Sequence, residues 1–169
     1  MFNHEAIDFS VSKFPLINVP TDVGVGLMRN DTRETLAIVS EHYHPTQYLE
    51  ITDAVEESLR QSGLDLTDAQ FETNVYDKGA RLELVAKFPA HPMKISEGDV
   101  VVPELRFRTS QNQTWANNGY VGAFRSLCYN SLVSGNVLAY VYGKHTKNFS
   151  VPQFAAKIRT AAEYIAGDG

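Results

Sequence analysis

The chain has 169 residues, 43% of them hydrophobic and 21% charged, and a net charge of −5. That length makes a single domain, residues 1–169, able to bury a core without staples. One cysteine, Cys128, excludes an internal disulfide framework and a cysteine zinc site. No apolar run reaches the ~20 residues of a membrane span. The opening Met1-Phe2-Asn3-His4-Glu5 lacks the basic-then-apolar order of a secretory signal. A cytoplasmic protein with no membrane partner is therefore expected.

Residues 1–22 read as irregular, with Pro15 and Pro20. Residues 23–28 and 36–40 read as a strand pair joined at Asn30-Asp31-Thr32. Thr46 offers an N-cap for a helix whose buried stripe is Tyr48, Ile51, Val55 and Leu59. Asp53, Glu56, Glu57 and Arg60 fall on its wet side, and Gly63 stops it. Residues 71–76 and 80–88 form a hairpin around Asp77-Lys78-Gly79, with Leu82, Leu84, Ala86 and Phe88 alternating against Arg81, Glu83, Val85 and Lys87. Residues 100–108 make the next strand, in which Leu105 and Phe107 share one side and Arg106 and Arg108 the other. Two neighbouring guanidiniums repel unless an anion lies between them. A polar loop at 109–114 leads to Trp115. Asn117 or Asn118 caps a helix with Tyr120 or Val121, Phe124, Leu127 or Cys128, and Leu132 inward. On another face of that helix, Arg125 and Tyr129 stand one turn apart. A strand at 137–142, a basic loop from Gly143 to Lys147, and a helix capped by Ser150 complete the chain. The expected fold is α+β, a mostly antiparallel sheet packed by about three helices.

Charge divides the chain. Residues 1–104 carry a balance of −10 and residues 105–169 one of +5, with no acidic residue between Leu105 and Ala162. Ten of the 18 aromatic residues lie in that same segment. Cations that track phosphates, interleaved with rings that stack on bases, are what single-stranded nucleic acid requires. The alternative for each ring is core packing, and for each charge an ordinary solvated face.

Motifs for catalysis are weak. His42-x-His44 lacks a third metal ligand. Gly24-Val25-Gly26 lacks the rest of a dinucleotide fingerprint, and no phosphate-binding Gly-Lys-Ser/Thr loop occurs. Cys128 falls on an apolar stripe. A non-enzymatic protein without cofactor or metal is expected.

The stretches Arg29-Asn30-Asp31-Thr32, Ile38-Val39-Ser40 through Tyr43, the acidic helix to Gly63, Phe124-Arg125-Ser126-Leu127-Cys128-Tyr129-Asn130 and Lys144-His145-Thr146 resemble a family of phage- and plasmid-encoded proteins of unknown function. The resemblance spans about residues 20–150. Where family members often carry an acid before the Arg-x-x-Cys element, this chain has the uncharged run from Thr109 to Thr114. The element order also looks like the core of single-strand annealing proteins, and a second similarity is to small phage proteins that bind single-stranded DNA.

The resulting expectation is a phage protein that binds single-stranded DNA in replication, recombination or early transcription. It would have a polymerase or recombination protein as a possible partner and self-association as an option. Arg106 and Arg108 would hold phosphates, Arg125, Lys144, His145, Lys147, Lys157 and Arg159 would extend the track, and Trp115, Tyr120 or Tyr129 would stack bases. The rival expectation is a host-takeover protein that docks a bacterial protein through Asp53, Glu56, Glu57, Asp65 and Asp68.

Overall fold

Helix α1, Tyr48–Gln61, forms where the apolar stripe predicts it, and Tyr48, Ile51, Val55 and Leu59 are all buried. Its N-terminus departs from expectation. The N-cap is Gln47, with no side-chain cap bond. The Gln47 amide instead accepts from the Val11 backbone N–H and donates to the Val11 carbonyl, both at 3.0 Å. Gly63, at φ +80, ends the helix in the left-handed conformation that glycine adopts without penalty.

The structure, a computed structural model, describes residues 1–127, 132–146 and 149–168. Strands β1 (Val11–Pro15), β2 (Val25–Arg29) and β3 (Thr35–Val39) make a three-stranded antiparallel sheet in that order. The β2–β3 pair lies where it is expected, whereas β1 falls in the stretch read as irregular. Its terminal Pro15 hides that strand, because proline is tolerated at an edge.

The main sheet has five antiparallel strands, in the order β10-β9-β8-β5-β4. They are β4 (Gln70–Tyr76), β5 (Arg81–Lys87), β8 (Pro103–Ser110), β9 (Asn117–Leu127) and β10 (Leu132–Gly143). A small hairpin, β6 (Met93–Ser96) and β7 (Asp99–Val101), precedes β8. The expected helix at 117–132 is therefore a correction: residues 117–127 are strand. Residues 117–121 alternate, with Asn117, Gly119 and Val121 buried between half-buried Asn118 and Tyr120, and Gly122 and Ala123 are buried as well. Gly119 is small for a reason. A Cβ there would lie 3.1 Å from the Phe107 ring and 3.3 Å from the Arg106 carbonyl, so the strand packs tightly against β8 at this glycine.

The second α-helix, α2 (Val151–Asp168), packs against α1, β9 and β10. Ser150 accepts from the Gln153 N–H at 3.3 Å, as its capping role requires. Phe154, Ile158, Ala162 and Ile165 are buried. The described residues thus hold an α+β fold with mostly antiparallel sheets and two α-helices rather than three. The core lies between the helices and the sheet face bearing Leu82, Leu84, Leu105, Phe107 and Val121. No helix among the described residues is long and apolar enough to cross a membrane.

Candidate nucleic-acid interface

Residues directly opposite in neighbouring antiparallel strands point to the same side of the sheet. With the helices covering one side, the register defines what the other presents. One row across it reads Tyr140, Tyr120, Arg106, Val85, Glu72. The next reads Tyr142, Asn118, Arg108, Glu83, Asn74. A third pairs Arg81 with Tyr76. Trp115 closes that end: its ring meets Tyr76 edge-on at 6.1 Å, and the guanidiniums of Arg81 and Arg108 lie 5.1 and 5.4 Å from its centroid. Ser110 fixes this tryptophan, because its Oγ accepts from the Trp115 N–H at 2.9 Å and donates to the Trp115 carbonyl at 2.8 Å. Tyr140 and Tyr142 are 56% and 57% exposed and Tyr76 is 44% exposed, far above what core rings show.

Arg106 and Arg108 share a side as the alternation predicts, and the anion between them is internal. Glu83 Oε2 accepts from Arg108 Nε at 2.6 Å and from Arg106 Nη1 at 3.3 Å. Glu104 takes a further bond from Arg106 at 3.4 Å, and Arg81 pairs with Asp77. Burial raises the Glu83 pKa, but the two guanidiniums outweigh it and hold the carboxyl below its ordinary value. The positive field expected of the basic segment is therefore cancelled here. The acidic part of the chain supplies β4 and β5, which lie in the same sheet as β8 and β9. The mouth of this face still has rings, but its arginines are already occupied.

The family model described as "Domain of unknown function (DUF932)" matches residues 35–166. The chain belongs to that family. No curated protein and no solved structure matches it. The DUF932 stretch takes in β3, α1, the whole five-stranded sheet and most of α2, so the open face lies entirely within it. Membership of a family of unknown function is as the resemblance implied.

The remaining expected residues separate. Lys144, Lys157 and Tyr142 line one groove beside the end of β10, and both lysines are exposed. Neither forms an ion pair among the described residues; Lys144 follows β10, and Lys157 lies on α2 at the edge of that groove. Arg159 stands apart from these: it donates to Glu163 at 2.9 Å and to Gln61 at 3.3 Å within the helix layer. Arg125 lies on β9 beyond the last residue paired with β8, not on a helix. Tyr129 and Lys147 lie outside the described residues, as does Cys128.

His145 is buried rather than exposed beside the lysines. It is 8% exposed and stacks on Tyr43 at 5.0 Å and 24°. Its Nε2 lies 3.2 Å from the Trp115 carbonyl, so that nitrogen carries hydrogen, and its Nδ1 lies 3.4 Å from Thr46 Oγ1. Its own carbonyl accepts from the His44 N–H at 2.9 Å. Burial lowers its pKa, the carbonyl partly opposing this. Thr46, expected to cap α1, instead donates to Asn117 Oδ1 at 3.0 Å in the same buried network. Between the Tyr43–His145 stack, Trp115 and Lys144 lies a cavity of about 380 Å³.

The acidic face resolves differently from its reading as a wet surface. Glu56 is 3% exposed and accepts from the Phe2 N–H, with His4 Nε2 at 2.7 Å and Arg60 at 3.1 Å. Burial on this scale makes it a tie for the N-terminus, so the cluster with Asp53 and Glu57 is not one free surface. Among the described residues, no group of three or more His, Cys, Asp or Glu side chains could hold a metal ion, which leaves His42 and His44 without partners for one.

Sequence reasoning missed Tyr76, Arg81, Glu83, Tyr140 and Tyr142 as parts of this face. Tyr140 and Tyr142 stand two apart in a stretch read correctly as strand, so their shared side was available from the period of two.

Proposed function

We propose that the open face of the five-stranded sheet binds single-stranded DNA, without catalysis. The observation that carries this is the exposure of Tyr140 and Tyr142, two apart on the edge strand β10; further in, the same side closes over β5, where Val85 is 2% exposed. Residues two apart in a strand are separated by about 6.5 Å, so consecutive unstacked bases reach consecutive rings. Each stack contributes about 1–3 kcal/mol irrespective of base identity. Duplex DNA hides its bases and gains nothing from these rings.

Binding on such a face is driven by stacking more than by charge, because Glu83, Glu104 and Asp77 already neutralise its arginines. Lys144 and Lys157 supply the phosphate contacts at the β10 edge. A protein of this kind serves replication, recombination or early transcription of a phage by keeping strands open for a polymerase or recombination protein.

The test is fluorescence anisotropy with labelled single-stranded and duplex oligonucleotides across a salt series. Tighter binding of the single strand is expected, with a log–log salt slope near −1.4, about −0.7 for each of two phosphates. Equal binding of duplex, or a slope of −4 or steeper, contradicts a stacking face.

A further inference from the structure

The cavity beside Trp115 is separate from the exposed tyrosines of β10, and its tryptophan ring meets one exposed tyrosine, Tyr76, edge-on. Its walls are the stacked Tyr43 and His145 rings, Trp115 and Ala116, and Lys144 stands exposed at its rim. No carboxylate lines it. Glu41 lies 3.4 Å from the ring of His42, which also lines the cavity, and Lys144 forms no ion pair among the described residues. The volume, about 380 Å³, lies at the small end of the ~300–1,000 Å³ range of ligand sites. Flat aromatic walls, a single cation at the mouth and room for one small molecule match a heteroaromatic ring carrying a phosphate.

The wall is also built rather than incidental. His145 Nε2 is committed to the Trp115 carbonyl, and its ring is held against Tyr43. The Tyr43 hydroxyl donates to the Ser110 carbonyl at 3.0 Å, and Ser110 in turn grips Trp115. Three segments distant in sequence are thus locked into one rigid aromatic surface, which presents rings at little entropic cost to a ligand.

We infer that this cavity captures one nucleotide of the bound strand, its base against Trp115 and the Tyr43–His145 stack and its phosphate at Lys144. This rests on the reading of the open face as a single-strand platform, and it gives that platform an anchored end. Insertion of one nucleotide fixes where the strand starts on the sheet, so successive bases fall on Tyr142 and Tyr140 in register.

Trp115 is the only tryptophan of the chain, so its emission reports the cavity directly. The probe is deoxyadenosine monophosphate, too small to span the sheet, titrated against the full chain. Saturable quenching is expected. Lys144→Glu, at an exposed position that leaves the fold intact, weakens it about tenfold, and Ala116→Leu, which fills the cavity, weakens it at least as much. Tyr140→Ala with Tyr142→Ala leaves the mononucleotide titration unchanged while oligonucleotide binding falls. Absence of saturable quenching, with the oligonucleotide still bound, overturns the cavity and leaves the platform standing. Quenching indifferent to both Lys144→Glu and Ala116→Leu overturns it as well. Loss of both ligands in the native chain overturns the two readings together.

Discussion

Glu83 is the residue on which the open face turns, and replacing it with glutamine separates two effects. The carboxylate is 8% exposed and bridges Arg106 and Arg108, whose side chains are 27% and 39% exposed. Breaking a fully buried pair costs about 3–5 kcal/mol, whereas an exposed pair contributes about 0–1. The half-open arginines are screened by solvent, and Arg106 keeps Glu104, so Glu83→Gln should destabilise the fold by about 1–2 kcal/mol at pH 7. Urea denaturation with an unchanged m-value measures it. The carboxyl's pKa is lowered in the folded state, so its contribution is full above the ordinary value of 4.5 and is lost as pH falls through its own lower value. The gap between native and variant chains should therefore close as pH drops below that range. The same substitution removes the internal anion and should tighten single-strand binding at low salt, steepening the salt slope by about 0.7 for each phosphate gained. A variant as stable as the native chain at pH 7, or a gap that persists undiminished at pH 3, refutes the bridging role.

Three further outcomes follow from the packing. Burial lowers the His145 pKa, so stability should fall as pH drops below the unfolded value of about 6.5. Melting curves at pH 8 and pH 5.5 should show this step, and His145→Asn should flatten it. Gly79 sits at φ +104 with the Phe9 ring 2.8 Å from where a Cβ would be, so Gly79→Ala should cost about 1–3 kcal/mol in denaturant titration. Arg159→Ala, confined to exposed contacts on the helix layer, should leave single-strand affinity unchanged, in contrast to Lys144→Ala, which should reduce the salt slope by about 0.7.

Much of the fold was legible because single periodicities were unopposed. The α1 stripe and the β4–β5 hairpin each had one reading, and the elements agree with the structure, although the side of β5 read as wet is closed, with Glu83 and Val85 buried. Residues 117–127 had two. Tyr120, Phe124 and Leu127 suit a helix, while Asn117, Gly119 and Val121 alternate, and the choice depends on the contact with β8 and β10 on either side. That contact is tertiary and invisible to local pattern. The same limit hid the charge balance of the face. Glu83 lies 23 residues before Arg106 in sequence, and only strand register makes them neighbours. Conversely, the shared side of Arg106 and Arg108, and the need for an anion between them, followed from alternation alone.

The most direct test of the stacking face is the anisotropy of a labelled single-stranded oligonucleotide with the native chain and with Tyr140→Ala/Tyr142→Ala. Both rings are more than half exposed, so the double variant should melt with the native chain. Its affinity should fall by about 1–3 kcal/mol per lost stack. Unchanged affinity in the folded variant, or no binding by the native chain at low salt, would contradict the assignment of this face to single-stranded DNA.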